Sequence, residues 1–198
     1  MLIALLLDHE ATQGVVSKQL GSWNDEVKQQ QLGADPVLTY EYSPNGQLLA
    51  LIGTEKVLLI DPLSGTLKHE LQAKGVKEVH WSPRGKYVIT WENANHEDNL
   101  KIWSASSGEL LRQFGQRSVE NLTWPPLQWS GDELIAARHV QRGEVSWLKF
   151  DEQLHLPPSL HVPGLTMIEL SGGEGSPLKV ATFGKGERLT QLMRQCTN

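Results

Sequence analysis

The sequence predicts an all-β chain, a WD40-like β-propeller that is incomplete and holds about four blades. Three observations predict it: an aromatic-Ser-Pro-x-Gly element that recurs, an apolar run behind each copy, and a Gly-centred hairpin further on. Tyr42-Ser43-Pro44-Asn45-Gly46 leads into Leu48-Leu49-Ala50-Leu51-Ile52, and Trp81-Ser82-Pro83-Arg84-Gly85 leads into Tyr87-Val88-Ile89-Thr90-Trp91. A looser third copy, Trp129-Ser130-Gly131-Asp132, leads into Leu134-Ile135-Ala136-Ala137. The opening aromatics stand 39 and 48 residues apart, which brackets the ~40–45 residues of a four-stranded blade.

Each part of the repeat has a physical reason. Pro pre-sets φ for the first corner of a turn and Gly accepts positive φ near its end, so Ser-Pro-x-Gly reverses the chain between two strands. The run behind it is apolar on both faces, as a strand packed between neighbouring blades must be. A second strand follows in each copy: Val57-Leu58-Leu59-Ile60, Leu100-Lys101-Ile102-Trp103 and Val145-Ser146-Trp147-Leu148. Five residues after Ile60 and after Trp103 stand Gly65 and Gly108, and the segments behind them, 66–71 and 109–114, align without a gap. A β-sandwich would use similar turns; the aligned repeat favours the propeller.

In chain order, residues 1–33 read as a partial first blade, 34–74, 75–116 and 117–160 as three blades, 161–185 as the start of a further one, and 186–198 as a divergent tail of weakly helical character. The apolar run 2–7 reads as a strand. It lacks a basic leader, meets Asp8 and Glu10 at once, and is far shorter than the ~20 residues that span a bilayer. The second blade is lengthened by a polar insertion, 93–98, expected to be a loop. In the further blade, 166–170 and 178–183 read as strands around a Gly/Ser-rich turn.

Composition narrows the function classes. Of 198 residues 39% are hydrophobic and 21% charged, which fits a globular chain and neither a disordered tail nor a membrane protein. The net charge of −5 comes from the first hundred residues, the remainder being balanced, so no dense basic stripe of an autonomous nucleic-acid binder is present. A single cysteine, Cys196, excludes a disulfide framework within the chain and agrees with a reducing, cytoplasmic setting.

Catalytic motifs are missing. No Gly-x-Ser-x-Gly elbow follows a strand, and the Gly-rich stretch Gly172-Gly173-Glu174-Gly175-Ser176 runs into Pro177 in place of a phosphate-binding helix. His155 and His161 have no carboxylate or Cys at ligand spacing, and the acidic pairs 25–26, 97–98 and 132–133 lie in polar or turn segments. The expectation is a binding scaffold with no catalytic residue, metal or cofactor. Trp81, Trp103, Trp129 and Trp147 fall on repeat positions and are expected in the core, with Trp91 beside them. Arg84, Lys86, Arg112, Arg117, Arg138 and Arg142 lie near predicted loops. They are the candidates for meeting phosphate oxygens, the task for which Arg and Lys are suited.

The segment Val79-His80-Trp81-Ser82-Pro83-Arg84-Gly85-Lys86-Tyr87-Val88-Ile89-Thr90-Trp91-Glu92 resembles a stretch of the eukaryotic translation initiation factor 2A family. Trp124-Pro125-Pro126-Leu127-Gln128-Trp129-Ser130, with Asp132-Glu133, Ala137-Arg138 and Glu144-Val145, resembles the family's next blade. Leu178-Lys179-Val180-Ala181 resembles the strand opening the one after it. The Trp-Pro-x-x-x-Trp-Ser stretch is equally similar to the propeller-bearing b-type component of initiation factor 3. The resemblance covers about residues 35–185 and rests on the order of several motifs. It implies a cytoplasmic protein that binds the small ribosomal subunit and helps to place initiator methionyl-tRNA without a GTPase subunit. Initiator tRNA, mRNA and other initiation factors would be met through parts absent from this chain, and no membrane is implied.

In the family the propeller is larger and a C-terminal extension follows it. A partial ring leaves its end blades with open edges, so the isolated chain is expected to be marginally stable or prone to aggregate. The competing reading from the residues alone is a WD-type interaction scaffold unconnected with translation. An enzymatic propeller is disfavoured by the missing constellations.

Overall fold

A computed structural model describes backbone and side chains at Asp35, 37–92, 97–116, 127–140, 143–153, 160–173 and 175–183, and the backbone alone at 3–6, 14–19, 29–31, 184 and 190–192. The chain divides into two compact units, 1–115 and 116–198. Among the described residues every strand pairing is antiparallel and joins neighbours in sequence.

Among the described residues, the first unit holds three antiparallel meanders. β1 (Ile3–Leu6), β2 (Gly14–Gln19) and β3 (Gln29–Gln31) form a three-stranded sheet. β4 (Thr39–Tyr42), β5 (Leu49–Ile52), β6 (Val57–Ile60) and β7 (Leu67–Leu71) form a four-stranded one. So do β8 (Glu78–Trp81), β9 (Tyr87–Trp91), β10 (Leu100–Ser104) and β11 (Leu110–Phe114). The second unit holds a four-stranded sheet of β12 (Leu127–Trp129), β13 (Ile135–His139), β14 (Glu144–Lys149) and β15 (Leu160–His161). A three-stranded one follows, of β16 (Leu165–Gly173), β17 (Ser176–Gly184) and β18 (Thr190–Leu192). Serial four-stranded meanders of this kind are the blades of a WD-type propeller, so the all-β, propeller-type expectation holds.

The repeated turn is built the same way three times. Ser43, Ser82 and Ser130 are 3%, 0% and 1% exposed. Each donates its N–H to the carbonyl five residues on, at 2.9, 3.0 and 2.9 Å, and each carbonyl accepts from the N–H three residues on, at 2.8, 2.9 and 2.9 Å. The hydroxyl completes the clasp: Ser43 Oγ, Ser82 Oγ and Ser130 Oγ accept from the amides of Leu48, Tyr87 and Ile135. Those bonds satisfy groups whose orphaning in a packed interior would cost about 1–3 kcal/mol each. Gly46 and Gly85 close the turn at φ 70° and 76°, as expected. In the third copy Glu133 stands at that position with φ 62°.

The second hairpin repeats as well. Gly65 and Gly108 donate to the carbonyls of Asp61 and Ser104, both at 2.8 Å, and a register shift precedes each turn, between Leu59 and Ile60 and between Ile102 and Trp103.

Both faces of the central strands β5, β6 and β13 are buried at every residue, whereas β14 is buried only at Val145. Ala50, Ile52, Val57, Leu59 and Leu71 pack with Val79, Val88 and Trp103 of the next sheet. Leu49, Leu51, Leu58 and Ile60 fill the opposite face. In the second unit Ala137, Val145 and Val162 pack with Leu165, Ile168 and Val180. Each Val, Leu or Ile among them contributes about 1.5–3 kcal/mol relative to exposure.

Trp103 and Trp129 are buried, and the Trp103 indole donates to Thr90 Oγ1 at 2.9 Å. Trp81 and Trp147 are partly buried against the two clusters, and Trp91 is half-buried.

The weakly helical reading of the tail is corrected at Thr190–Leu192, which forms β18 against Val180, Ala181 and Thr182 of β17. A short isolated helix is marginal, whereas β17 offers an open row of backbone donors and acceptors. Four residues of the 93–98 insertion lie outside the described residues; the last two, Glu97 and Asp98, form a turn.

Candidate nucleic-acid interface

Arg84 and Lys86 flank buried Gly85 in the turn between β8 and β9, and both are exposed. The backbone beneath them is fixed. Arg84 O accepts from Asn45 Nδ2 at 3.1 Å, which ties the turn to its counterpart in the preceding sheet. Lys86 O accepts from the Ala105 amide at 2.9 Å. Two cations two residues apart are thus carried on a turn that is held on both sides. Arg112 is exposed on β11 and folds its guanidinium back to its own neighbour's carbonyl, Leu111 O, at 2.8 Å. β11 is the edge strand opposite β8, so the sheet separates Arg112 from the Arg84 and Lys86 turn.

Arg138 departs from the surface expectation. It is 8% exposed, in β13, with Nε donating to Gln116 Oε1 at 3.1 Å. Burial lowers its pKa from the ordinary arginine value. Its position in a strand buried on both faces turns it inward. Arg117 and Arg142 lie outside the described residues.

A second group of titratable residues lies along the first strands of two neighbouring sheets. Glu41 of β4 is half-buried, and the Trp81 indole donates to its carbonyl at 3.4 Å. Burial, with the charge of Glu78 second, pushes the Glu41 carboxyl up to about 7. His80 of β8 lies 3.4 Å from Glu78 Oε2. Burial lowers its pKa, and the hydrogen bond and charge of Glu78 work against that. The sequence reading missed these three. The available signal was the repeat itself, because Glu41 and His80 both stand two residues before the clasp serine.

The arrangement offers exposed cations on a turn held by hydrogen bonds on both sides and, separately, half-buried Glu41 and His80 beside exposed Glu78. Among the described residues, no three His, Cys, Asp or Glu come together as metal ligands would, and no helix is long and apolar enough to cross a membrane.

No family model matches the chain. A Schizosaccharomyces pombe protein named eukaryotic translation initiation factor 2A is 34% identical over 154 residues, covering 74% of this chain and 26% of that protein. A Dictyostelium discoideum protein of the same name is 24% identical over 148 residues, covering 72% of this chain and 24% of that one. The B-type component of eukaryotic translation initiation factor 3 from Dictyostelium discoideum is 29% identical over 106 residues, covering 51% of this chain and 16% of that protein. A solved crystal structure of a eukaryotic initiation factor matches with a TM-score of 0.61 at 28% identity, covering 83% of this chain and 46% of that one. The chain therefore spans about a quarter of the length of its factor 2A relatives.

Proposed function

Because the chain belongs to the eukaryotic translation initiation factor 2A family, we propose that it is a non-enzymatic blade array that docks on the small ribosomal subunit. In this role it works in the cytoplasm and helps to place initiator methionyl-tRNA without hydrolysing GTP. Initiator tRNA, mRNA and other initiation factors are engaged through segments other than those described above. The observation that carries the reading is the extended match to a named initiation factor, 34% identical over 154 residues.

Among the described candidates, Arg84 and Lys86 are the best suited to phosphate oxygens, being exposed on a fixed turn. Arg112 is a second contact on the far edge strand. Such contacts position a protein on RNA and carry no sequence information.

Co-sedimentation with purified small subunits tests the reading. Binding is expected at low salt and weakens as salt rises. Replacing Arg84 and Lys86 together by Ala lowers affinity and makes the log K against log[salt] slope shallower by roughly two. Absence of binding at low salt sinks the proposal.

A second reading, a piece of a propeller of the factor 3 kind, is favoured by the 29% match. It predicts co-purification with the other components of that multi-protein factor, which the first reading does not.

A further inference from the structure

The chain contains three Ser-Pro dipeptides, at 43–44, 82–83 and 176–177. Two of them are sealed. Ser43 Oγ and Ser82 Oγ are buried in the repeated clasp, each accepting from a backbone amide. The residue three positions after each serine is a glycine, Gly46 and Gly85.

Ser176 differs on every point. It begins β17 at the tip of the β16–β17 hairpin, where it, Pro177 and Lys179 are exposed. The residue three positions on is Lys179. The β17–β18 register runs from Val180 to Thr182 among the described residues, so 176–179 lie on a stretch of β17 ahead of that pairing. Pro177, which has no N–H to give a ladder, suits such a position. The backbone there is extended and is paired on its other edge with β16, Gly173 with Ser176 and Ser171 with Lys179, across a register shift, so a kinase engages it at the end of the hairpin, where the ladder is irregular.

We propose that Ser176 is the acceptor of a proline-directed protein kinase, the class that takes serine followed by proline with a basic residue at the third position. In the transfer, Ser176 Oγ forms the new bond to the γ-phosphorus of ATP as its bond to the β,γ-bridging oxygen breaks. ADP leaves, and the hydroxyl proton passes to the kinase's catalytic base.

The product has a structural consequence within the second unit. Ser176 pairs with Gly173, and a Cβ at Gly173 would stand 2.6 Å from the Asp132 carboxylate. Gly172 O accepts from the Gly131 amide at 2.8 Å, which holds the tip on the 130–133 turn. A phosphate, carrying about −1.5 to −2 charges at neutral pH, sets like charge beside Asp132 and loosens that hold.

The test is incubation of the full folded chain with ATP and a cyclin-dependent kinase, followed by mass-spectrometric site mapping. One phosphate at Ser176 is expected, lost in Ser176→Ala and in Pro177→Ala and retained in Ser176→Thr. Label that persists in Ser176→Ala, or that enters only after heat unfolding, overturns the assignment. Faster amide exchange at Gly131 in the phosphorylated chain supports the loosening, and unchanged exchange overturns it.

Discussion

The sheets β4–β7 and β8–β11 share two turns, built alike, and differ in how the connection between their second and third strands is fastened. In the first sheet the β5–β6 connection is short and an acid from upstream closes it. Asp35 accepts from the Thr54 amide at 2.8 Å, the Glu55 amide at 3.0 Å and the Thr54 hydroxyl, and Gly53 leaves room for it. In the second sheet the corresponding β9–β10 connection is longer and is closed by an ion pair. Glu92, 4% exposed, meets Lys101 Nζ, and the Glu92 amide donates to Asn99 O at 2.8 Å. The contrast teaches that the repeat specifies strands and turns while leaving each inter-strand connection to find its own fastening.

The sharpest way to break the comparison is to remove one partner of an ion pair in each sheet. Lys101→Met strands a buried carboxylate and is expected to cost about 3–5 kcal/mol. Lys56→Met removes the partner of Glu70, a 2.8 Å pair with both side chains about a third exposed, and is expected to cost under about 1 kcal/mol. Urea unfolding of both variants compares them. Equal losses would mean that the second sheet gains nothing from burying its pair.

The matching glycines come next. Gly65 and Gly108 share a φ near 70°, but a Cβ at Gly65 meets nothing, whereas at Gly108 it meets the His69 side chain at 2.8 Å. Gly65→Ala is expected to cost about 1 kcal/mol, and Gly108→Ala more, up to about 3 kcal/mol. A shared value would show that His69 moves aside freely.

Asp35→Ala deletes the first sheet's closure and is expected to cost about 1–2 kcal/mol at neutral pH. Burial pushes the Asp35 carboxyl up, but hydrogen bonds from Thr54, Glu55 and Lys56 outweigh it and leave the pKa below 3.8. Its contribution is therefore complete above the unfolded value and is lost as pH falls through the lower folded one. Below that point variant and parent should converge in thermal midpoint.

A pH-dependent effect lies at the junction of the two sheets. With its folded pKa up at about 7, Glu41 binds its proton more tightly folded than unfolded. It therefore lowers stability as pH rises from the unfolded carboxyl value through 7. His80, lowered by burial, acts in the opposite direction below its unfolded value, and Glu78 faces both. The difference between the parent and Glu41→Gln isolates the acid: the variant gains thermal midpoint relative to the parent as pH goes from 5 to 8. A constant difference would refute the shift.

The repeat made the strands legible because turn and strand signals are local: Ser-Pro-x-Gly closes over three residues, and two-sided apolar runs follow it. The third copy shows that the clasp outlives its signal. Ser130 makes the same bonds although Gly131 replaces proline and Glu133 takes the positive φ. Arg84 and Lys86 were legible as exposed cations because they belong to such a turn.

Arg138 was not, nor were Glu41 and His80 as a perturbed pair, because their state depends on what lies over them. By itself the sequence determined the hairpins, their order and the two-faced burial of the central strands, all consequences of local geometry and the period of a strand. The tertiary structure alone decided which arginine is buried, which acid is desolvated and which of the three Ser-Pro serines is exposed. Whether one polar or charged side chain is covered is set by contacts tens of residues apart in sequence, such as Gln116 on Arg138 and Trp81 on Glu41, which no local pattern encodes.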